Sequence, residues 1–343
     1  MRPERSEPTP LATDAPDADT APRGFLSGGG RDNPALAAVL MVGSLGLLGL
    51  QDALVKFTSD SVSLWAFQLL RSSMNLGLLL VLSRVLWGRD QPRARRMWAV
   101  ALRSFLLVGS MLLLFGGIPY LSLAKIAAGL YVFPLFIAVL SYVLLREPVG
   151  PRRITAIVAG FAGALMILQP AADDFSPVAL MPVGAAVCYA CTILTTRSLC
   201  RDESPVVLAF GVALAFLFVG GSGVILLSIV PTPYSETWPY LFTGWRPLEF
   251  ATLGLIAVCS CLNLAANIGL AKAYQSAEAS WLAPFDYSYL IFATFWGFYF
   301  FGGFPNALTL AGMAVIAASG GYVAWRERQE KRLPRANLNR NLR

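Results

Sequence analysis

The sequence predicts an all-α membrane protein: ten transmembrane helices, built as two inverted five-helix repeats around a central cavity. Three observations predict it. The 343 residues are 56% hydrophobic and only 14% charged, whereas soluble domains carry about 25% charged residues. With a mean hydropathy of +0.60, the chain is too apolar for one aqueous core and must use lipid as a solvent. The apolar residues also fall in runs close to the roughly 20 residues that one crossing needs. Finally, the second half of the chain echoes the first in its proline, glycine and terminal basic positions.

The runs lie at 35–56, 62–86, 98–118, 121–145, 153–169, 177–197, 206–230, 250–272, 277–300 and 306–325. The divisions at "GGIPYLSLAK" and "AYQSAEAS" rest on short connections. Residues 1–33 are rich in Pro, Asp and Gly without an apolar run, which reads as a disordered cytoplasmic tail and not as a signal peptide. Residues 34–170 form the first repeat, 176–327 the second, and 328–343 a basic cytoplasmic tail.

The net charge of +7 is held in short clusters between apolar runs, a pattern of membrane orientation and not of nucleic-acid binding. With ten crossings the loops alternate. One set carries Arg84, Arg89, Arg93, Arg95, Arg96, Arg146, Arg152, Arg153, Arg197, Arg201 and Lys272. The other has Lys56, Lys125 and Arg246, offset by Asp173, Asp174 and Glu236. Basic loops stay inside, so both termini are expected in the cytoplasm. The longest outer loop, "PTPYSETWPYLFTGWRPLEF", holds Trp238, Tyr240 and Trp245, as an interfacial aromatic belt or a lid over a substrate.

Several chemistries are excluded. The chain has no histidine, which removes HExxH zinc chemistry and Ser-His-Asp hydrolysis. Cys188 and Cys191 form a CxxC inside an apolar run without a second pair, so the five cysteines read as buried, inert thiols. The absence of GxxxxGK[ST] means that ATP drive is not encoded here. No cofactor, metal or catalytic residue is expected.

The halves match in detail. "VGSLGLLGLQDALVK", Val42 to Lys56, parallels "VGAAVCYACTILTTR", Val183 to Arg197. "YVFPLFIAVLSYVLL" around Pro134 parallels "SWLAPFDYSYLIFATF" around Pro284, and Pro148 and Gly163 align with Pro305 and Gly320. Five spans per half is an odd number, so the second copy lies inverted. Inverted repeats are an architecture of transporters, with the site near the midplane between the halves.

At these motifs the chain resembles the drug/metabolite transporter superfamily, in its bacterial EamA-type branch. The resemblance is carried by "REPVGPRRITAIVAGFAGALMILQP" and "APFDYSYLIFATFWGFYFFGGFPNALTLAGMAVIAASGGYVAWRER", and covers roughly residues 35–327. It implies a basket of ten helices around a central cavity, as in amino-acid exporters and sugar-phosphate exchangers. The family often has a glutamate near the start of the last span of a repeat. Glu147 supplies it in the first half, but Gly302 and Gly303 stand there in the second, so no role rests on a glutamate pair.

Polar residues within spans usually face a bundle interior or a wet cavity. In the second span Gln68, Arg71, Ser72 and Asn75 fall at i, i+3, i+4 and i+7, on one helical face. They either line a cavity or form a hydrogen-bonded seam. The eighth span offers Ser260, Asn263, Asn267 and Tyr274, and the sixth Tyr189, Thr192 and Thr196. Asp52 and Lys56, at i and i+4, form a local ion pair or a gate, and Glu278 and Lys272 sit at the inner mouth. Asp286, two residues after Pro284, shares a face with Tyr289, Ala293 and Gly297. It either pairs with Arg71 or offers, together with Arg71, opposite charges to an amphoteric solute. Tyr131, Tyr189, Trp281 and Tyr287 are stacking candidates for a flat one.

The expected function is secondary transport of a small polar or amphoteric organic metabolite, an amino acid or related compound, by alternating access. A lipid-handling or structural membrane protein, or a membrane-embedded transferase, is the alternative. The sequence leaves cargo, direction, coupling to protons or to exchange, and oligomeric state open.

Overall fold

The computed structural model describes residues 34–87, 94–145, 151–169, 176–201, 203–230, 232–277, 282 and 285–332. Within them the regular structure is helical throughout. Helix α1 (Pro34–Thr58) ends where the Thr58 hydroxyl donates to the Val55 carbonyl at 2.9 Å. Ser63 then starts α2 (Leu64–Trp87), accepting from the Ala66 amide at 3.2 Å. Such a cap satisfies an amide that the first helical turn leaves without a partner. Helix α3 (Met97–Gly117) is followed by α4 (Leu123–Leu130), capped by Ser122, and by α5 (Phe133–Leu145) and α6 (Pro151–Leu168).

The second half begins with a 3-10 turn, Pro177–Leu180, leading into α7 (Met181–Leu199). Helix α8 (Pro205–Ile229) has Ser204 as cap and proline at its first position, where a missing amide is harmless. The outer loop contains a short helix, α9 (Pro239–Phe242), before α10 (Phe250–Ser276). Helix α11 (Ser288–Phe301) stops at Gly302, whose φ of 68° is the left-handed conformation that glycine adopts without strain. Helix α12 (Ala307–Arg332) is capped by Asn306, which accepts from the Thr309 amide at 2.8 Å.

Seven helical stretches are long and apolar enough to cross a membrane, from Pro34–Thr58 to Phe250–Tyr274, with α4 and α5 forming one of them over Leu123–Val143. Val158–Leu168, Ser288–Phe301 and Ala307–Tyr322 are shorter apolar helices. Large apolar side chains such as Val39, Phe218, Ile225 and Ile291 point outward, as expected where the surrounding solvent is hydrocarbon. The chain is an all-α, multi-pass membrane protein.

Helix α1 packs on α10 and α11, α2 on α8 and α10, α3 on α7 and α8, and α6 on α12. Helices α4 and α5 both pack on α7, and α4 also on α11. Small residues permit the tightest crossings, because lipid supplies no hydrophobic drive between helices and close backbone contact must do so. A methyl group on Gly163 would lie 2.9 Å from the Gly312 carbonyl, and one on Gly312 2.6 Å from that of Gly163. The α6–α12 crossing therefore runs backbone to backbone.

Two features depart from the sequence reading. The expected continuous fourth span is interrupted at Tyr131 and Val132 between α4 and α5. Pro134 falls in the first turn of α5, where it removes no helical hydrogen bond. The cysteines are not uniformly buried: Cys200 and Cys259 are, Cys188 and Cys191 are half-buried, and Cys261 is exposed.

Candidate functional site

The polar stripe of α2 faces inward. Gln68, Arg71 and Ser72 are buried and Asn75 is half-buried. The Arg71 guanidinium lies over three rings, with its carbon 5.5 Å from the Phe67 centroid, 4.8 Å from Phe115 and 5.6 Å from Phe216. Rings attract the cation by their negative faces, but they satisfy none of its N–H groups. Arg71 Nε and Nη1, both amide atoms of Gln68 and Asn75 Oδ1 are buried without a hydrogen-bond partner. Each such atom costs about 1–3 kcal/mol. A seam that served only to join helices would have paired them.

The negative charge facing Arg71 is Asp52 of α1. The expected pairing of Arg71 with Asp286 is thus replaced: the two carboxylates occupy separate surroundings. Asp52 is buried and accepts from the Tyr289 hydroxyl on α11 and, at 3.2 Å, from Gln51 Nε2. The expected local ion pair with Lys56 is also absent. The Lys56 ammonium instead donates to the Leu121 carbonyl at 2.6 Å and lies 5.2 Å from the Phe301 ring centroid. The reason is competition: the carbonyl at the end of the α3–α4 connection and the Tyr289 phenol each offer a partner without turning Lys56 inward.

Asp286 is half-buried in the turn that leads into α11, and its neighbours are phenols. The Tyr131 hydroxyl donates to the Asp286 carbonyl oxygen at 2.9 Å. Tyr189, Tyr274 and Tyr287 all feel its charge. Tyr131 stacks on Tyr289, centroids 5.4 Å apart and planes at 16°. The stacked pair thus connects the Asp52 site to the Asp286 site. Trp281 and Pro284 lie outside the described residues.

Asn263 and Asn267 do not join these clusters through hydrogen bonds. Asn267 Nδ2 donates to the Asn263 carbonyl at 2.7 Å along α10, and Asn267 is exposed. Ser260 bonds back to Ile256 at 3.1 Å. Both bonds are local, as small polar residues often make them in membrane helices, although the Ser260 hydroxyl also reaches Met74 Sδ of α2 at 3.8 Å.

Two residues take places near the polar groups that the sequence reading did not assign them: Tyr240, expected in a belt or lid, and Arg103. Tyr240, in the outer loop, is buried and in electrostatic contact with Arg71, while Trp238 packs edge-on against Tyr120 at 4.6 Å. Trp65 Nε1 donates to the Leu241 carbonyl at 2.8 Å, and Arg246 Nη1 to the Asp60 carbonyl at 3.0 Å. This loop therefore folds down over the start of α2, and of Trp238, Tyr240 and Trp245 the last alone is exposed. Arg103 of α3 was hidden inside an apolar run. It is half-buried, bonds Thr196 Oγ1 at 2.9 Å and acts on Tyr189.

Fold and site together define a multi-pass membrane protein with charged and amide groups turned toward its interior. Residues 35–169 match the EamA-like transporter family. Over that stretch the chain is of the EamA type, a branch of the drug/metabolite transporter superfamily. It is similar to a riboflavin transporter of Vibrio cholerae, 31% identical over 58% of this chain and 62% of that one. A riboflavin transporter of Rhizobium johnstonii is 31% identical over 59% and 61%. Both matches span less than two thirds of the relative's length. An S-adenosylmethionine uptake transporter of Rickettsia conorii is 24% identical over 71% of this chain and 78% of its own. A solved crystal structure superposes with a TM-score of 0.55 at 16% identity, over 88% of this chain and 100% of that one. The likeness is one of fold.

Proposed function

We propose that this protein is a secondary transporter that moves a small polar organic metabolite across a bacterial inner membrane by alternating access. The observation that carries the reading is the unpartnered polar face of Gln68, Arg71 and Asn75, buried among the rings of Phe67, Phe115 and Phe216. Those groups need a partner that the described residues do not supply. A solute with hydrogen-bonding atoms and a flat surface meets both requirements.

The ten-helix inverted repeat, 34–170 and 176–327, is part of the proposal. The helix packing supports it, because exchanging the halves maps the main contacts between them onto one another. Helix α1 on α10 is matched by α7 on α3, α1 on α11 by α7 on α4 and α5, and α3 on α8 by α10 on α2. The pairs α2–α8 and α6–α12 map onto themselves. The seven long apolar stretches and three shorter ones supply ten crossings. Rocking one half against the other would then expose the Arg71 face to each side in turn.

Riboflavin and S-adenosylmethionine, named for the relatives, each join a flat heteroaromatic ring to a polar chain. The proposed solute shares that plan, which sharpens the expectation of an amino-acid-like compound. Uptake of labelled riboflavin and S-adenosylmethionine into proteoliposomes, with a metabolite comparison of cells with and without the protein, tests the reading. Accumulation above empty liposomes supports it. No accumulation of either compound, with metabolite profiles unchanged, overturns it.

A further inference from the structure

The Arg71 face lies close under one end of the protein. Arg71 follows Leu64, the first residue of α2, by seven positions, about 10 Å along the axis at 1.5 Å per residue. Gln68 is 0% exposed and Arg71 5%, so this arrangement shuts both off from water. What covers that end is the loop between α8 and α10. Its Tyr240, 2% exposed, belongs to one apolar cluster with Phe67 and Phe115, two of the rings that flank Arg71. A solute entering from that end has to pass the loop.

The loop is fastened in two directions. Toward α8, the Trp245 amide donates to Ser228 Oγ at 3.2 Å, and a methyl group on Gly244 would lie 2.7 Å from the Val224 carbonyl oxygen. Toward the first half of the chain, Arg246 Nη1 donates to the Asp60 carbonyl at 3.0 Å, the Ser63 hydroxyl to the Gly244 carbonyl, and Trp65 Nε1 to the Leu241 carbonyl at 2.8 Å. Trp238 packs edge-on against Tyr120 on the same side. In the proposed division of the chain, the first set of ties lies within one repeat and the second set joins the two repeats. Rocking one repeat against the other keeps the first set and pulls on the second. Hydrogen bonds that water can replace hold a position without locking it.

The Tyr240 hydroxyl is buried with no partner among the described residues. Phenylalanine would fill the same space without stranding a polar atom. Lifting the loop returns that hydroxyl to water, which lowers the cost of opening.

We propose that residues 232–249 form a gate over the Arg71 face, with the Tyr240 ring as its plug. The gate is hinged at Ser228 and parts from Asp60, Ser63, Trp65 and Tyr120 when it opens. The proposal rests on the transport reading and adds the element that moves at one mouth.

The chain carries its own reporter. Cys259 of α10 is 0% exposed and belongs to the same apolar cluster as Tyr240, whereas Cys200, also buried, ends α7 outside that cluster. The full-length chain in lipid nanodiscs, where both faces meet water, is treated with a water-soluble maleimide, and each cysteine is read by peptide-resolved mass spectrometry. Trp65→Phe with Arg246→Ala should raise the labelling rate of Cys259 at least fivefold and Tyr240→Ala at least tenfold, with Cys200 unchanged in both. Tyr240→Phe, which keeps the plug, should label no faster than the wild type. Ser228→Ala, on the hinge side, should stay within twofold of it, and an equal rise there overturns the hinged arrangement. Unchanged Cys259 labelling overturns the gate, as does a parallel rise at Cys200, which reports general loosening. If Tyr240→Ala fails to fold, the double variant decides by the same criteria. Unchanged labelling alongside accumulation of riboflavin or S-adenosylmethionine in proteoliposomes removes the gate and leaves transport standing. The expected labelling with no accumulation of either compound, and with unchanged cellular metabolites, removes transport and with it the loop's role as a gate.

Discussion

The Tyr289 hydroxyl on α11 donates to the Asp52 carboxylate on α1, a contact between residues 237 positions apart. Both partners are buried, and a hydrogen bond to an ionised group inside a protein contributes about 1.5–3 kcal/mol. In the inverted-repeat reading it joins the two halves, so any rocking motion has to make and break it. Tyr289→Phe is expected to leave expression intact, lower the melting temperature in detergent by a few degrees and change the transport rate at least fivefold. Asp52→Asn should do the same, and the double variant should be no worse than either single one. Additive losses would show that the two side chains act independently, and the cross-half link would have to be abandoned.

Arg71 is expected to be sensitive to shape as well as to charge. Its unpartnered Nε and Nη1 belong to one planar guanidinium, and three rings surround that plane. Lysine keeps the charge but presents a single point donor. Arg71→Gln and Arg71→Lys should therefore both reduce uptake tenfold or more at matched expression, and Gln68→Leu severalfold. Full uptake by Arg71→Lys would reduce the site to a bare positive charge.

The sequence carried faces more faithfully than neighbours. The spacing of Gln68, Arg71, Ser72 and Asn75 placed them on one side of a helix, and that side is the buried one. Helical periodicity fixes such a face because it is a property of one segment. It cannot say which distant segment lies opposite. Hence Asp52 seemed to belong to Lys56, four residues on, whereas its partner is Tyr289. Asp286 seemed to belong to Arg71, whereas it sits among tyrosines contributed by other helices. Tyr240 lies in a loop with no period at all, and Arg103 is one charge in an otherwise apolar run. Nothing local distinguishes either of them.

The charge distribution predicts the orientation. The connection before α3 carries Arg95 and Arg96, while the last turn of α7 and the connection after it carry Arg197 and Arg201. Basic connections of this kind stay on the cytoplasmic side. Reporter fusions at both ends should register as cytoplasmic. Opposite locations for the two ends would require an odd number of crossings, which no pair of five-helix repeats provides.

The α2–α8 crossing depends on Gly220. A methyl group there would lie 2.9 Å from the Leu69 amide nitrogen and 3.2 Å from the Trp65 carbonyl oxygen. Both are backbone atoms that cannot swing away, so the helices would have to separate. Gly220→Val should reduce the folded yield and lower the melting temperature by 5 °C or more, corresponding to overpacking of about 1–3 kcal/mol. Gly43→Ala and Gly254→Ala, where a methyl group meets nothing within 4 Å, should behave as the wild type. Equal tolerance at all three positions would mean that α2 and α8 do not approach this closely in the membrane.

The start of α3 is held by a residue from the other half of the chain. Glu203, in the α7–α8 connection and only 8% exposed, accepts from the Arg95 amide through both carboxylate oxygens, at 3.0 and 3.1 Å, and from the Arg96 amide at 2.6 Å. These amides immediately precede the helix, and Arg96 makes no side-chain cap of its own. A carboxylate there also complements the positive end of the helix dipole. Removing such a cap costs about 0.5–2 kcal/mol. Glu203→Ala should therefore lower the melting temperature by a few degrees and raise hydrogen exchange of the first α3 amides. Glu203→Gln, which keeps one acceptor oxygen but no charge, should fall between Ala and the wild type. Because the tie joins the connection before α3 to the one after α7, its loss should also loosen the α3–α7 contact, where Arg103 meets Thr196 at 2.9 Å. Exchange should rise on both helices in Glu203→Ala, whereas a change confined to α3 would show that the carboxylate caps one helix without coupling it to the other.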